Sequence, residues 1–260
     1  MLKLRAPLSG QAITSVEEWL RHAPPKQGDR HWREGRSAME LAKACLGDGA
    51  SELPAELRDL LRPLGVTSGE FEGTPEARIP IDELAGEPAN VDLAVLLPSD
   101  AGVTALAVEA KADEPFGRTV SAVLRAGAER IAADEATNSV TRVQGLAALL
   151  LPPWREGLPH LGELRYQLLT GTAAAVGLAR AHGAGRAVFA VCELINKRHT
   201  TAPRRKRNRF DLDAFVRRLS GGAVEQVPRG ELVGPFRVNG GEAVELWVGK
   251  VRRELVDEEE

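Results

Sequence analysis

Two strand-like segments carry acids where a buried strand should carry none. TALAVEAKADEPFG, residues 104–117, begins as an apolar run and then sets Glu109 and Lys111 two positions apart. The preceding segment NVDLAVLL holds one acid, Asp92, among residues suited to a core. Side chains alternate across a strand, so Ala107, Glu109 and Lys111 share one face and Leu106, Val108 and Ala110 the other. The turn signal PSDAG between the segments makes them a hairpin in which Asp92 falls opposite Glu109. The alternation predicts that the apolar face is buried and that the charged face lines a cleft.

That pattern suits phosphoryl chemistry. Two carboxylates held a few ångströms apart repel each other and raise one pKa, unless a divalent cation sits between them. Asp92, Glu109 and the carbonyl of Ala110 are hard oxygen donors of the kind that Mg²⁺ takes, with Mn²⁺ as a substitute. Lys111 on the same face could orient or deprotonate an attacking water, or neutralise charge developing on phosphorus. The plain alternative is an exposed strand ion pair worth at most ~1 kcal/mol. A buried, unpaired carboxylate is costly, so the lone acid on each apolar strand favours the metal reading.

A second chemical feature lies further on. The run TTAPRRKRNRF supplies Arg204, Arg205, Lys206, Arg207 and Arg209, which could neutralise several phosphates of a DNA partner. The alternative is a solvated loop or an interaction tail. With a net charge of −3 the chain has no general positive coat, so any nucleic-acid contact must come from such a local patch. The five histidines, at 22, 31, 160, 182 and 199, lack zinc-ligand spacing. No phosphate-binding glycine loop with Lys-Ser or Lys-Thr occurs, and no nucleophile elbow. Cys45 and Cys192 sit in apolar contexts and read as reduced core thiols.

The elements that must position these groups are legible from periodicity. SVEEWLRHA starts with a Ser15/Glu18 capping-box spacing and reads as a short helix. WREGRSAMELAKACLG has apolar residues at helical spacing, Glu40 within it and Gly47 as its stop. PAELRDLLRPLG predicts a third helix. VTSGEFEG, ARIPI, NVDLAVLL and VTALAVEAK read as strands separated by turns. Helices follow over RTVSAVLRAGAERIAADEA, SVTRVQGLAALLL and LGELRYQLLTGTAAAVGLARAHG, the last rich in small residues that allow close packing on a sheet. RAVFAVCEL then returns as a strand parallel to the earlier ones. DLDAFVRRLSGG predicts a short helix, and VGPFRV with AVELWVGKV a terminal hairpin.

The implied class is α/β, a mixed central sheet flanked by helices in one domain over 1–260. Its core is expected at about 15–195, with the basic segment, a helix and a β-hairpin over 196–256. Aromatic residues make up only 4% of the chain, so packing must lean on Leu, Val and Ala. The N-terminal MLKLRAPLSG lacks the apolar region of a signal peptide, and no run approaches a membrane span, which places the protein in the cytoplasm.

Asp92 on one strand, Glu109-Ala110-Lys111 on the next, a preceding helix bearing Glu40 and a long following helix together resemble the PD-(D/E)XK, restriction-endonuclease-like nuclease superfamily. GRSAMELAKA, VEAKADEPFG and LRYQLLTGTAAA are also similar to a bacterial domain family of unknown function assigned to it. The resemblance implies a restriction-endonuclease-like core. It also implies that Asp92 and Glu109 hold the metal, that Lys111 assists the nucleophile and that Glu40 reaches the same site. Gln167, in RYQLL, takes the place where some members put a site-contacting Gln. The superfamily's Pro before the first acid is Val91 here. The implied activity is Mg²⁺-dependent endonucleolytic hydrolysis of DNA, in bacterial defence or repair, by a homodimer or with a partner from a defence operon. A protein that kept the fold but only binds nucleic acid or a partner is the alternative. Asp113 reads as part of a solvated turn, while Glu114 and Glu193 could stand behind the site.

Overall fold

The computed structural model describes residues 1–26, 28, 31–47, 51–66, 69–100, 102–196 and 200–255. In chain order its elements begin with β1 (Leu2–Arg5), β2 (Ala12–Ile13), α1 (Val16–His22), α2 (Ser37–Leu46) and α3 (Ala55–Leu61). Then come β3 (Phe71–Ile79), β4 (Ala89–Ser99), β5 (Gly102–Lys111), α4 (Val120–Ala132), α5 (Ser139–Leu150) and α6 (Tyr166–Ala181). The chain continues through β6 (Arg186–Ile195), α7 (Ala202–Leu219), β7 (Leu232–Arg237) and β8 (Glu245–Glu254).

The hairpin forms as the turn signal requires: β4 and β5 pair antiparallel from Ser99↔Gly102 to Leu93↔Val108. Antiparallel β3 flanks β4, and parallel β6 flanks β5 after the crossover through α4, α5 and α6. The result is a mixed eight-stranded sheet in the order β2-β1-β3-β4-β5-β6-β8-β7. Each face has its own core. Leu93, Leu106, Val108 and Val188 pack with Trp19, Leu41, Leu57 and Leu60 from α1, α2 and α3. Ala105, Ala107, Phe189 and Leu246 pack with residues of α4 to α7. Helix α6 lies close on that second face, as its small residues predict. A Cβ at Gly171 would stand 2.6 Å from the Phe189 ring, and one at Gly177 2.8 Å from the Pro80 carbonyl oxygen.

Four expectations are corrected. The end of VTSGEFEG, from Phe71, and the start of ARIPI, to Ile79, belong to one strand, β3, because Thr74 and Pro75 between them continue the pairing with β4. The N-terminal ten residues, read only as a non-leader, provide β1, whose Leu2 and Leu4 are buried beside Gly73. The basic run is the first half of the 18-residue α7, not a loop before a short helix. The segment beyond 195 is integral to the sheet, since β8 pairs with β6 from Arg186↔Glu245 to Ile195↔Glu254. Among the described residues, no helix is long and apolar enough to cross a membrane.

Candidate functional site

The acids sit where the sheet departs from regular alternation. Leu93, Val95 and Leu97 face the α1–α3 core, yet Ala89 and Val91 face the opposite one. Strict alternation would put all five on one side. The same reversal occurs in β3, where Phe71 faces the first core and Ala77 and Ile79 the second. The reversal in β3 falls at Glu76, which has φ 46°, in the left-handed region that a residue with a Cβ avoids. Pairing on either side, Pro75↔Leu93 and Ala77↔Val91, sets Glu76 directly opposite Asp92. A backbone outlier of this kind costs on the order of 1–3 kcal/mol and clusters at functional sites.

Asp92 also marks where β4 parts from β5. Backbone pairing ends at Leu93↔Val108, and the next β5 donor, Ala110 N–H, is taken by Asp92 Oδ2 at 2.6 Å. Next to it, Lys111 Nζ donates to Glu109 Oε1 at 2.6 Å. Gln167 Nε2, in the first turn of α6, donates to the same oxygen, also at 2.6 Å. The structure therefore brings Glu76, Asp92, Glu109, Lys111 and Gln167 together. The expected cleft is filled: Glu109 is 2% and Lys111 7% exposed, because α6 lies over the charged face as well as the apolar residues before it.

Burial dominates the electrostatics. It pushes Glu109 up to about 7, with Lys111 pulling down and the Asp92 charge adding to the rise. Glu76 goes further, to about 8, raised by burial and then by Asp92, while the hydrogen bond from Asn90 Nδ2 at 2.7 Å opposes the shift. Asp92 is likewise raised by burial, against the pull of Lys111 and the Ala110 N–H. Burial alone would favour the neutral amine of Lys111, but Glu109, Asp92 and Glu114 outweigh it and the net shift is upward. Lys111 is thus a fixed ammonium. In that form it is a charge and a hydrogen-bond donor to Glu109.

The remaining expected groups divide. Glu40 is buried but accepts the Gly35 N–H at 2.8 Å, tying down the turn before α2; no hydrogen bond among the described residues joins it to those five. Asp113 is not a solvated turn residue. It is buried and accepts from Thr201 N at 3.1 Å and Oγ1 at 3.2 Å and from Arg204 at 2.5 Å, which anchors the start of α7. Glu114 accepts the Ala112 and Asp113 N–H groups at 3.0 and 3.1 Å. Of the basic run, Arg204 is committed to Asp113, and Arg205, Lys206 and Arg209 line a cavity of about 600 Å³. Arg207 is exposed and lies outside that lining. Glu193 pairs with Arg252 of β8 at 3.1 Å. Cys45 and Cys192 are buried free thiols. His199 lies outside the described residues.

Glu76 is the residue that sequence reasoning missed. Its one signal is an acid directly after Gly73-Thr74-Pro75, a stretch that had suggested a turn. Among the described residues no group of three or more acids, histidines or cysteines is arranged so that it could hold a metal ion by itself. The acids that gather at the end of the β4–β5 pair are oxygen donors, the type that hard cations take.

No curated protein and no solved structure matches the chain. One family model, described as Domain of unknown function (DUF6946), matches residues 12–255. The chain belongs to that family.

Proposed function

We propose that the protein is a Mg²⁺-dependent nuclease of the PD-(D/E)XK kind, hydrolysing phosphodiesters in DNA. The observation that carries the reading is the group of three carboxylates, buried Glu76 and Glu109 with half-buried Asp92 between them, gathered near one ammonium, Lys111. Burial and mutual repulsion hold protons on these acids in the absence of metal, and a cation that displaced those protons would take their place. Asp92 and Glu109, with the Ala110 carbonyl, would hold Mg²⁺ or Mn²⁺. The bound cation would polarise the phosphodiester and supply a nucleophile at neutral pH.

The chain's own residues would do the rest. Lys111, kept charged by its neighbours, would neutralise negative charge on the non-bridging phosphate oxygens as the water oxygen joins phosphorus and the bond to O3′ breaks. The products would be a 5′-phosphate and a 3′-hydroxyl. Gln167 fixes the rotamer of Glu109 by its hydrogen bond and is a positioning residue. Glu76, protonated at neutral pH without metal, would release its proton as the cation binds. The proposal extends to a defence or repair setting, with a second copy or an operon partner.

One observation favours the alternative, a nuclease-like fold that only binds. Glu109 Oε1 is already satisfied by both Lys111 and Gln167. Calorimetric titration with Mn²⁺ separates the two. Heat of binding that vanishes in Asp92→Asn, together with Mn²⁺-dependent cleavage of plasmid DNA, supports the enzyme. Absence of binding in the millimolar range, with DNA present, leaves the binding role.

A further inference from the structure

The cavity under α7 points to a second anion site. Leu212, Phe215 and Val216 bury the middle of α7 in the sheet's second core, which suspends the basic first half over the ends of β6 and β8. The cavity there, about 600 Å³, is lined by Arg205, Lys206, Arg209, Arg229, Lys250 and Arg252. Glu193 is the single acid in that lining, and Arg252 already holds it at 3.1 Å. Lys250 is 5% exposed and makes no ion pair or hydrogen bond through its ammonium among the described residues. The Nε of Arg205 is also buried without a hydrogen-bond partner. Asp213 and Glu193 act on the Lys250 charge from nearby without pairing with it directly, and a buried ammonium left without a direct partner beside a polar cavity suits an anion.

The place of the cavity indicates which anion. Lys111 pairs in register with Glu193, and Glu193 with Arg252, so the cavity lies two strand spacings, about 10 Å, across the sheet from the acid site. That is roughly three stacked steps of a nucleic-acid strand at ~3.4 Å each. Next to two of the lining residues, Phe210 is 53% exposed, with Lys206 Nζ 5.6 Å and Arg209 Cζ 5.4 Å from the ring centre. An exposed ring beside cations is a stacking platform for an unpaired base.

We propose that this cavity holds a backbone phosphate of single-stranded nucleic acid, with a neighbouring base on Phe210. The proposal rests on the nucleic-acid part of the function above and not on its chemistry, so the test omits metal. Fluorescence anisotropy with a labelled single-stranded oligodeoxynucleotide in EDTA measures binding by the full chain. Lys206 and Arg229 are exposed, so Lys206→Ala with Arg229→Ala keeps the fold intact. The double variant is expected to bind at least tenfold more weakly, with the salt slope reduced by about 0.7 for each cation removed. Phe210→Ala is expected to weaken binding with the slope unchanged. Unchanged affinity and slope in the double variant overturn the site. Equal affinity for a duplex of the same sequence overturns the single-strand assignment. Calorimetric binding of inorganic phosphate, with the oligonucleotide failing to bind, overturns nucleic acid as the ligand. Oligonucleotide binding in EDTA without any Mn²⁺-dependent cleavage sinks the hydrolytic reading and leaves this site standing.

Discussion

Removing the charge from Glu76 should change how stability depends on pH. Its carboxyl moves from the ordinary 4.5 to about 8 in the folded protein, through burial first and the Asp92 charge second. Each factor of ten in proton affinity corresponds to about 1.4 kcal/mol, so Glu76 alone carries on the order of 5 kcal/mol between its two protonation states. The folded state binds the proton more tightly than the unfolded chain. The associated stability is therefore fully present below about pH 4.5, falls as pH rises and is gone above about 8. Glu109, raised to about 7, adds a loss in the same direction over a lower range. Wild-type protein in EDTA should thus unfold at progressively lower temperature from pH 5 to pH 8. Glu76→Gln keeps an acceptor for Asn90 without the charge and should flatten most of that slope. Excess Mn²⁺ should flatten it in the wild type by neutralising the same charges. Thermal unfolding by circular dichroism across this range is the assay. Parallel profiles for wild type and Glu76→Gln would refute the argument, because Glu76 would then not be a buried acid facing Asp92.

Three further outcomes follow from the same geometry. Lys111→Met leaves the carboxylates without their ammonium and should cost about 3–5 kcal/mol at pH 8, as loss of one partner from a buried pair does; denaturant unfolding should show a smaller cost at pH 5, where the acids can take up protons. Gly171→Ala should destabilise by about 1–3 kcal/mol despite the gain in helix propensity, since its Cβ would stand 2.6 Å from the Phe189 ring; at this chain length that is a fall of several degrees in the unfolding temperature. Asp113→Ala strips the partner from the Thr201 N–H and hydroxyl and from Arg204, and should loosen α7; faster amide exchange confined to the first turns of α7 is the expected signature, and unchanged exchange would contradict it.

The hairpin shows how much of the site could be read in advance. A turn signal between two apolar runs predicts the hairpin, but its pairing stops at Leu93↔Val108, so Asp92 meets the Ala110 N–H and is not paired opposite Glu109 as the alternation had implied. Gln167 was found through family likeness, since nothing in its helix spacing singles it out; its bond to Glu109 depends on how α6 crosses the sheet. Glu40 shows the limit of that likeness. Its helix forms as expected, but the carboxylate is used by the local turn at Gly35. Glu76 was illegible because its role depends on a reversal of alternation in two strands at once, and a period-2 pattern read from one strand interprets such a break as a turn.

Composition and periodicity alone determined the α/β class, the crossover from α6 to a parallel β6, the two free core cysteines and the charged pair on β5. These follow from local rules: alternation, helical spacing, and the entropic advantage of short turns. Tertiary structure decided what those charges face. It laid α6 over Glu109 and Lys111, set Glu76 against Asp92, and folded the basic run into a helix above the unpaired Lys250. Each of these depends on contacts between residues far apart in the chain, where burial sets the energy of a charge and sequence spacing carries no information about it.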